Sequence, residues 1–202
     1  MIRRVFFLFI VVTASAASGA RASWLIGADG GIALPAGTFN KVWSSGFSAS
    51  LSASYLLNPR FAVGLDGSHN SFGTASDYQA LLDFLDPGAS ETFTTWQLGA
   101  HGNWIIPVSG SSKFSPYVVL GIGLYNVKDK YESPTNTDEL SQAAAFGLRG
   151  GLGCDFWISP TFGLGLDMNY NDTFTNVEDI GYSHTPFFTL AAGVRWKPKS
   201  SK

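Results

Sequence analysis

Apolar and small polar residues alternate along most of this chain, most clearly from Ala143 to Tyr170, AAAFGLRGGLGCDFWISPTFGLGLDMNY. Ala144, Phe146, Leu148, Leu152, Cys154 and Phe156 share one parity. Ala145, Gly147, Arg149, Gly151, Gly153 and Asp155 share the other. The pattern breaks at Ile158-Ser159-Pro160 and resumes with Phe162, Leu164, Leu166, Met168 and Tyr170 against Gly163, Gly165, Asp167 and Asn169. A period of two predicts strands, because successive side chains point to opposite faces of a sheet. One face is large and apolar, and the other is glycine with a few charges. That combination predicts a crowded, wet interior and a lipid-facing exterior, the pattern of a transmembrane β-barrel.

Eight such segments follow one another: Trp24–Leu34, Phe47–Leu57, Phe61–Ser71, Phe93–Ile106, Phe114–Lys128, Gln142–Trp157, Thr161–Asn171 and Pro186–Trp196. The second is the cleanest, with Phe47, Ala49, Leu51, Ala53 and Tyr55 opposed to Ser48, Ser50, Ser52 and Ser54. Each has about ten residues or more, the length a tilted strand needs to cross a bilayer. The connectors alternate as well. Asn58-Pro59-Arg60, Pro107–Lys113 and Ile158-Ser159-Pro160 are short, whereas residues 35–46, 72–92, 129–141 and 172–185 are longer and polar. The expected fold is all-β: an eight-stranded antiparallel up-and-down transmembrane β-barrel with short periplasmic turns and longer extracellular loops. A hairpin hidden in a long loop would raise the count to ten, but none is visible.

The rival is a soluble barrel of the lipocalin kind, apolar inside and polar outside. Asp29, Asp66, Arg149, Asp155, Asp167 and Arg195 decide between the two, because all sit on the glycine-rich parity. In a soluble barrel that parity would face water and carry many Lys and Glu. It carries almost none, so it is read as the interior.

The N-terminus adds a destination. Met1-Ile2-Arg3-Arg4 is a basic start, Val5–Val12 an apolar run too short to span a bilayer, and Ala20-Arg21-Ala22 a small-residue cleavage site. Residues 1–22 are read as a secretory signal peptide, 23–196 as the barrel and 197–202 as a short basic periplasmic tail. The chain has 13 Lys and Arg against 15 Asp and Glu; without Arg3, Arg4 and Arg21 the balance is ten to fifteen, about −5. With no basic patch and no recognisable module, nucleic-acid binding is not expected. The 16 Phe, 7 Tyr and 6 Trp fit aromatic girdles. The single cysteine, Cys154, lies on the apolar parity and is read as a small lipid-facing filler.

The stretch Ser115-Pro116-Tyr117-Val118-Val119-Leu120-Gly121-Ile122-Gly123-Leu124 resembles the PY-x-x-x-G-x-G strand of small outer-membrane barrels of the OmpA/OmpX-like superfamily. Phe146–Tyr170 resembles their next hairpin, and Leu190–Trp196 their closing strand. The resemblance implies a bacterial outer-membrane location, contact with outer-membrane lipid and lipopolysaccharide, and recognition of the closing aromatic, here Trp196, by the insertion machinery. Lys197-Pro198-Lys199-Ser200-Ser201-Lys202 follows that aromatic, a departure from the usual terminus.

Eight strands enclose a space just wide enough for side chains to fill. Buried charges need partners, and the arginine fork suits carboxylates. A polar plug is therefore expected. Arg149 should pair with Asp167 on the neighbouring strand or with Asp66 across the barrel, and Arg195 with Asp29 or Asp155. His101 is expected as a hydrogen-bonded lumen residue rather than a metal ligand, and no cofactor is expected.

Three functions remain open on these residues. The first is a structural or surface-interaction protein without catalysis. The second is a small gated channel through the acidic lumen. The third is a lipid A-modifying enzyme, because the outward pair His69 and Ser71 resembles the His/Ser pair of lipid A deacylases. That family also wants an Asn after the Ser and an acid on the His; Phe72 follows Ser71 here, and the pattern places no acid. The long loops are acidic, with Asp77, Asp83, Asp86, Glu91, Asp129, Glu132, Asp138, Glu139, Asp172, Glu178 and Asp179 against Lys41, Lys128 and Lys130. The periplasmic side carries Arg60, Lys113, Lys197, Lys199 and Lys202. Such loops could engage a divalent cation or an extracellular ligand. Within them, Asp77–Asp86 has Tyr78, Leu81, Leu82 and Leu85 at helical spacing before Pro87-Gly88, which predicts a short helix over the barrel mouth or on the membrane surface.

Overall fold

A computed structural model gives the structure of residues 23–109, 113–176, 181 and 183–198. Residues 1–22, expected to be a signal peptide, and Glu178, Asp179, Lys199 and Lys202 lie outside these described residues. The alternating segments form eight strands: β1 (Ser23–Pro35), β2 (Trp43–Asn58), β3 (Phe61–Thr74), β4 (Ser90–Ile105), β5 (Phe114–Glu132), β6 (Thr137–Trp157), β7 (Phe162–Phe174) and β8 (His184–Trp196). Each pairs antiparallel with its sequence neighbours, and β1 pairs with β8 to close the barrel. Closure leaves no unpaired edge in the membrane-spanning belt, as a hydrocarbon surrounding requires. Among the described residues no helix is long and apolar enough to cross a membrane.

The apolar parity faces outward throughout. Leu51, Leu65, Leu98 and Leu120 are 63–70% exposed, which a water-facing wall would not tolerate over so wide an area. Trp24, Phe61, Trp104, Phe156 and Trp196 ring the short-turn end, and Phe47, Trp96, Phe146, Phe174 and Phe188 ring the other. From Trp24 to Leu34 the chain climbs ten residues; at ~3.3 Å per residue and ~40° tilt this spans about 25 Å, the height of a barrel's apolar band.

Two expectations are corrected above the upper ring. Residues 129–141 do not form a loop: β5 and β6 run on to Glu132 and from Thr137, for 19 and 21 residues, and only 133–136 turn. Apolar alternation stops there because neither face meets lipid. Cross-strand pairing carries the hairpin instead, including a Lys128–Glu139 ion pair at 2.7 Å on its outer face. A register shift between Tyr125 and Val127, with Ala144 at φ 58°, marks where the hairpin leaves the belt. The predicted helix is present as α1 (Ser76–Leu85).

The second correction concerns the filling. The interior is not polar throughout. A short 3-10 helix, Gly37–Lys41, folds into the long-loop end and brings Phe39 onto Phe72 and Phe93 at ring distances of 5.5 and 4.8 Å. With Trp43, Phe187, Tyr125, Val127, Ala33 and Ala145 these form an apolar cluster, each residue at most 2% exposed. The sequence carries the sign of this: Phe72, Phe93 and Phe187 are on the inward parity, but lie at or beyond the ends of the alternating runs.

Candidate functional site

Below the aromatic cluster the lumen is polar and divides into two charge clusters. The upper one is built on Asp66 of β3. Arg149 of β6 crosses the barrel and donates from both terminal nitrogens to the two Asp66 oxygens, each at 2.8 Å. Gln97 Nε2 of β4 donates to Asp66 Oδ2 at 2.9 Å, and Gln97 Oε1 accepts from Ser68 Oγ at 2.8 Å. His101 Nδ1 lies 2.7 Å from Asp66 Oδ1, and its Nε2 lies 2.9 Å from Ser54 Oγ. A carboxylate only accepts, so Nδ1 carries the proton in this arrangement. Asp66 thus receives four donors while only 4% exposed.

The lower cluster is built on Arg195 of β8. Its Nη1 donates to Asp29 at 2.5 Å, its Nε to Asp155 at 3.0 Å and its Nη2 to Asp167. Tyr117 Oη donates to the other Asp167 oxygen at 2.5 Å. One guanidinium therefore holds carboxylates from β1, β6 and β7. Of the alternatives drawn from the sequence, Arg149 meets Asp66 and not Asp167, while Arg195 meets Asp29 and Asp155 together and takes Asp167 as well. The reason is reach. Arg195 sits level with Gly27 and Gly163, and all three carboxylates converge on its upward-pointing fork.

The glycines of the inward parity make this convergence fit. A Cβ on Gly165 would overlap the Arg195 guanidinium, and one on Gly153 would overlap the Tyr117 ring. One on Gly27 would come within 2.6 Å of Ser52 Oγ and 3.1 Å of Arg195 Nη1. The glycine-rich face is thus the space that the Arg and Tyr side chains occupy. Tyr117, Gln97, Ser54 and Ser68 were not singled out from sequence, although each shares the inward parity, which is the signal that would have found them.

A cavity of about 80 Å³ remains in the lumen, lined among others by Asp29, Ser50, Ser52, Asp66, Asn169 and Arg195. It has room for several waters. At the short-turn end Trp157 is 7% exposed and Lys197 Nζ lies 3.5 Å from its ring centroid.

The outward pair His69 and Ser71 lies on the lipid-facing side of β3. The His69 ring sits 4.3 Å from the Trp96 ring, and its Nδ1 is buried with no hydrogen-bond partner among the described residues. No acid among those residues orients it.

The long-loop end forms a platform. Tyr78 and Leu82 of α1 face the barrel, with Tyr78 Oη 3.5 Å from Glu91. Gln79 Nε2 donates to the Ala89 carbonyl at 2.8 Å, and Tyr131 Oη donates to Asp86 at 2.5 Å. Glu91 and Asp129 lie above the upper aromatic ring, outside the membrane-spanning part of their strands, and face the mouth. Burial, reinforced by Glu91, pushes the Asp129 carboxyl up to about 7. Burial likewise raises Glu91.

An apolar wall of bilayer height between two aromatic rings, closed on a polar lumen, defines a transmembrane β-barrel of the outer-membrane type. The family model of the outer membrane protein beta-barrel domain matches residues 5–196. The chain belongs to that family, and its place is the bacterial outer membrane, with the short turns periplasmic and the platform extracellular. Among solved structures it is similar to Neisserial surface protein A (NspA), with a TM-score of 0.62 and 19% identity over 89% of this chain and 100% of that one. It is also similar to a major outer membrane protein of Thermus thermophilus, with a TM-score of 0.65 and 14% identity over 89% and 100%. At these identities the likeness is one of fold. No curated protein matches the chain in sequence.

Proposed function

We propose that this protein is a sealed, non-catalytic barrel that anchors an extracellular interaction platform. The lumen carries the reading: a charge-locked polar core beneath an apolar aromatic cluster is built to stay shut. The extension of β4, β5 and β6 beyond the belt, capped by α1, supports the platform half of the proposal, because these residues contribute nothing to spanning. Outer-membrane lipid and lipopolysaccharide would surround the wall, the insertion machinery would read the closing strand at Trp196, and the acidic loops would meet the extracellular ligand. Planar-bilayer recording of the purified protein tests the seal. Silence is expected; stepwise conductance would overturn it and establish a second reading, a gated cation path, which the 80 Å³ cavity and the excess of carboxylates over arginines favour. For His69→Ala and Ser71→Ala, mass spectra of lipid A are expected to match those of the unaltered protein; changed acylation would revive the enzyme.

A further inference from the structure

The helix α1 has one broad apolar arc and buries only one edge of it. Tyr78 and Leu82 dock onto the barrel. Leu81, Phe84 and Leu85, at i, i+3 and i+4, form the other edge as a stripe that is 50%, 83% and 68% exposed. Phe84 is the most exposed large apolar residue described in the molecule. The stripe is held still, since the Gln79–Ala89 and Tyr131–Asp86 hydrogen bonds tie both halves of the helix down.

We infer that this stripe is a docking surface for a cationic amphipathic segment of another protein, an apolar helix face flanked by Lys or Arg. The inference rests on the proposed platform function and names its partner class. Charge complementarity selects the occupant. Segments 75–91 and 128–140 carry eight carboxylates (Asp77, Asp83, Asp86, Glu91, Asp129, Glu132, Asp138 and Glu139) and two lysines. The two lysines pair with two of these carboxylates, Lys128 with Glu139 and Lys130 with Glu132, which leaves six carboxylates unmatched by a cation of these segments. Asp77 is exposed on α1 itself, one turn before Leu81 and on the flank of the apolar stripe. A second copy of this chain would bring the same carboxylates to the interface and be repelled. The outer leaflet does not fit either, because its headgroups are anionic. Height argues the same way: Ser90, at the foot of α1, lies six residues beyond the Trp96 ring, about 15 Å above the belt at ~3.3 Å per residue and ~40° tilt.

The test uses the full chain in zwitterionic nanodiscs and, as probe, a synthetic Leu/Lys amphipathic helix, with a scrambled peptide of the same composition and empty nanodiscs as controls. The ordered peptide should bind the protein at least about tenfold more tightly than the scrambled one, and Phe84→Ser should lose about that factor. Asp77→Asn should weaken binding and flatten its salt dependence. Equal binding by Phe84→Ser, or by the scrambled peptide, would overturn the inference. So would self-association abolished by Phe84→Ser, or quenching of Phe84→Trp fluorescence by brominated lipid, which would assign the stripe to a second copy or to the bilayer. None of these outcomes bears on the seal, which the conductance record tests separately.

Discussion

Arg195 is the residue on which the lower lumen depends. It is 5% exposed and holds three carboxylates from three strands. Removing one side of a buried ion pair costs about 3–5 kcal/mol, because the other side is left uncompensated. Arg195→Leu is therefore expected to lower stability by at least that much, read as a lower midpoint of heat-modifiable gel migration. Arg149→Leu should cost less, since Asp66 would keep its bonds from Gln97 and His101. Gly165 is the third member of the argument. Gly165→Val would force the Arg195 fork aside, so its loss should resemble that of Arg195→Leu, and the double variant should lose much less than the sum. Additive losses would show that the glycine acts elsewhere. Parity makes Asp29, Asp66, Asp155 and Asp167 legible as inward charges. Parity does not say which arginine each meets, because a contact across the barrel depends on height and reach in three dimensions.

At the scale of the element, the β4–β5–β6 extension and α1 behave differently from the belt. Their stability depends on pH with a definite sign. Asp129, pushed up to about 7, binds its proton more tightly in the folded platform than in the unfolded chain. Its contribution is therefore present below the unfolded carboxyl range and is lost as pH rises through about 7. Raised Glu91 acts in the same sense. Limited proteolysis at residues 75–89 is expected to be slower at pH 6 than at pH 8, and Asp129→Asn should remove most of the difference. A pH-independent cleavage rate would count against this. The extension itself escaped the sequence reading for a physical reason. Alternation of large apolar and small residues reports a lipid face, and where both faces meet water a strand loses that mark. Lys130, Glu132 and Glu139 look like loop residues in sequence, yet all stand in the ladder, Lys130 opposite Glu139 and Glu132 opposite Thr137. The helix, by contrast, was legible because its periodicity differs from the strands around it.

For the whole molecule, two closures of different chemistry stand in series, ionic below and aromatic above. Loss of either alone is expected to leave the barrel electrically silent. Phe39→Ala, at a cost of about 3–5 kcal/mol for a buried aromatic, removes the side chain that the 3-10 helix inserts among Phe72 and Phe93. Combined with Arg149→Ala and Arg195→Ala it should produce conductance that loss of neither closure produces singly, measured in planar bilayers; conductance from loss of one closure alone would show a single gate. Period-two patterning was enough to reach eight membrane-crossing strands, the lipid-facing parity, the inward charges and the end at which the long connectors lie. Those properties are local, since each follows from whether a residue points into the wall's lipid or its lumen. Closure of β1 on β8 decided the rest: which carboxylates gather on Arg195, why the inward face must be glycine there, and that aromatic side chains from well-separated segments meet as a plug. These depend on residues far apart in the chain arriving at one height, and no local pattern encodes a height.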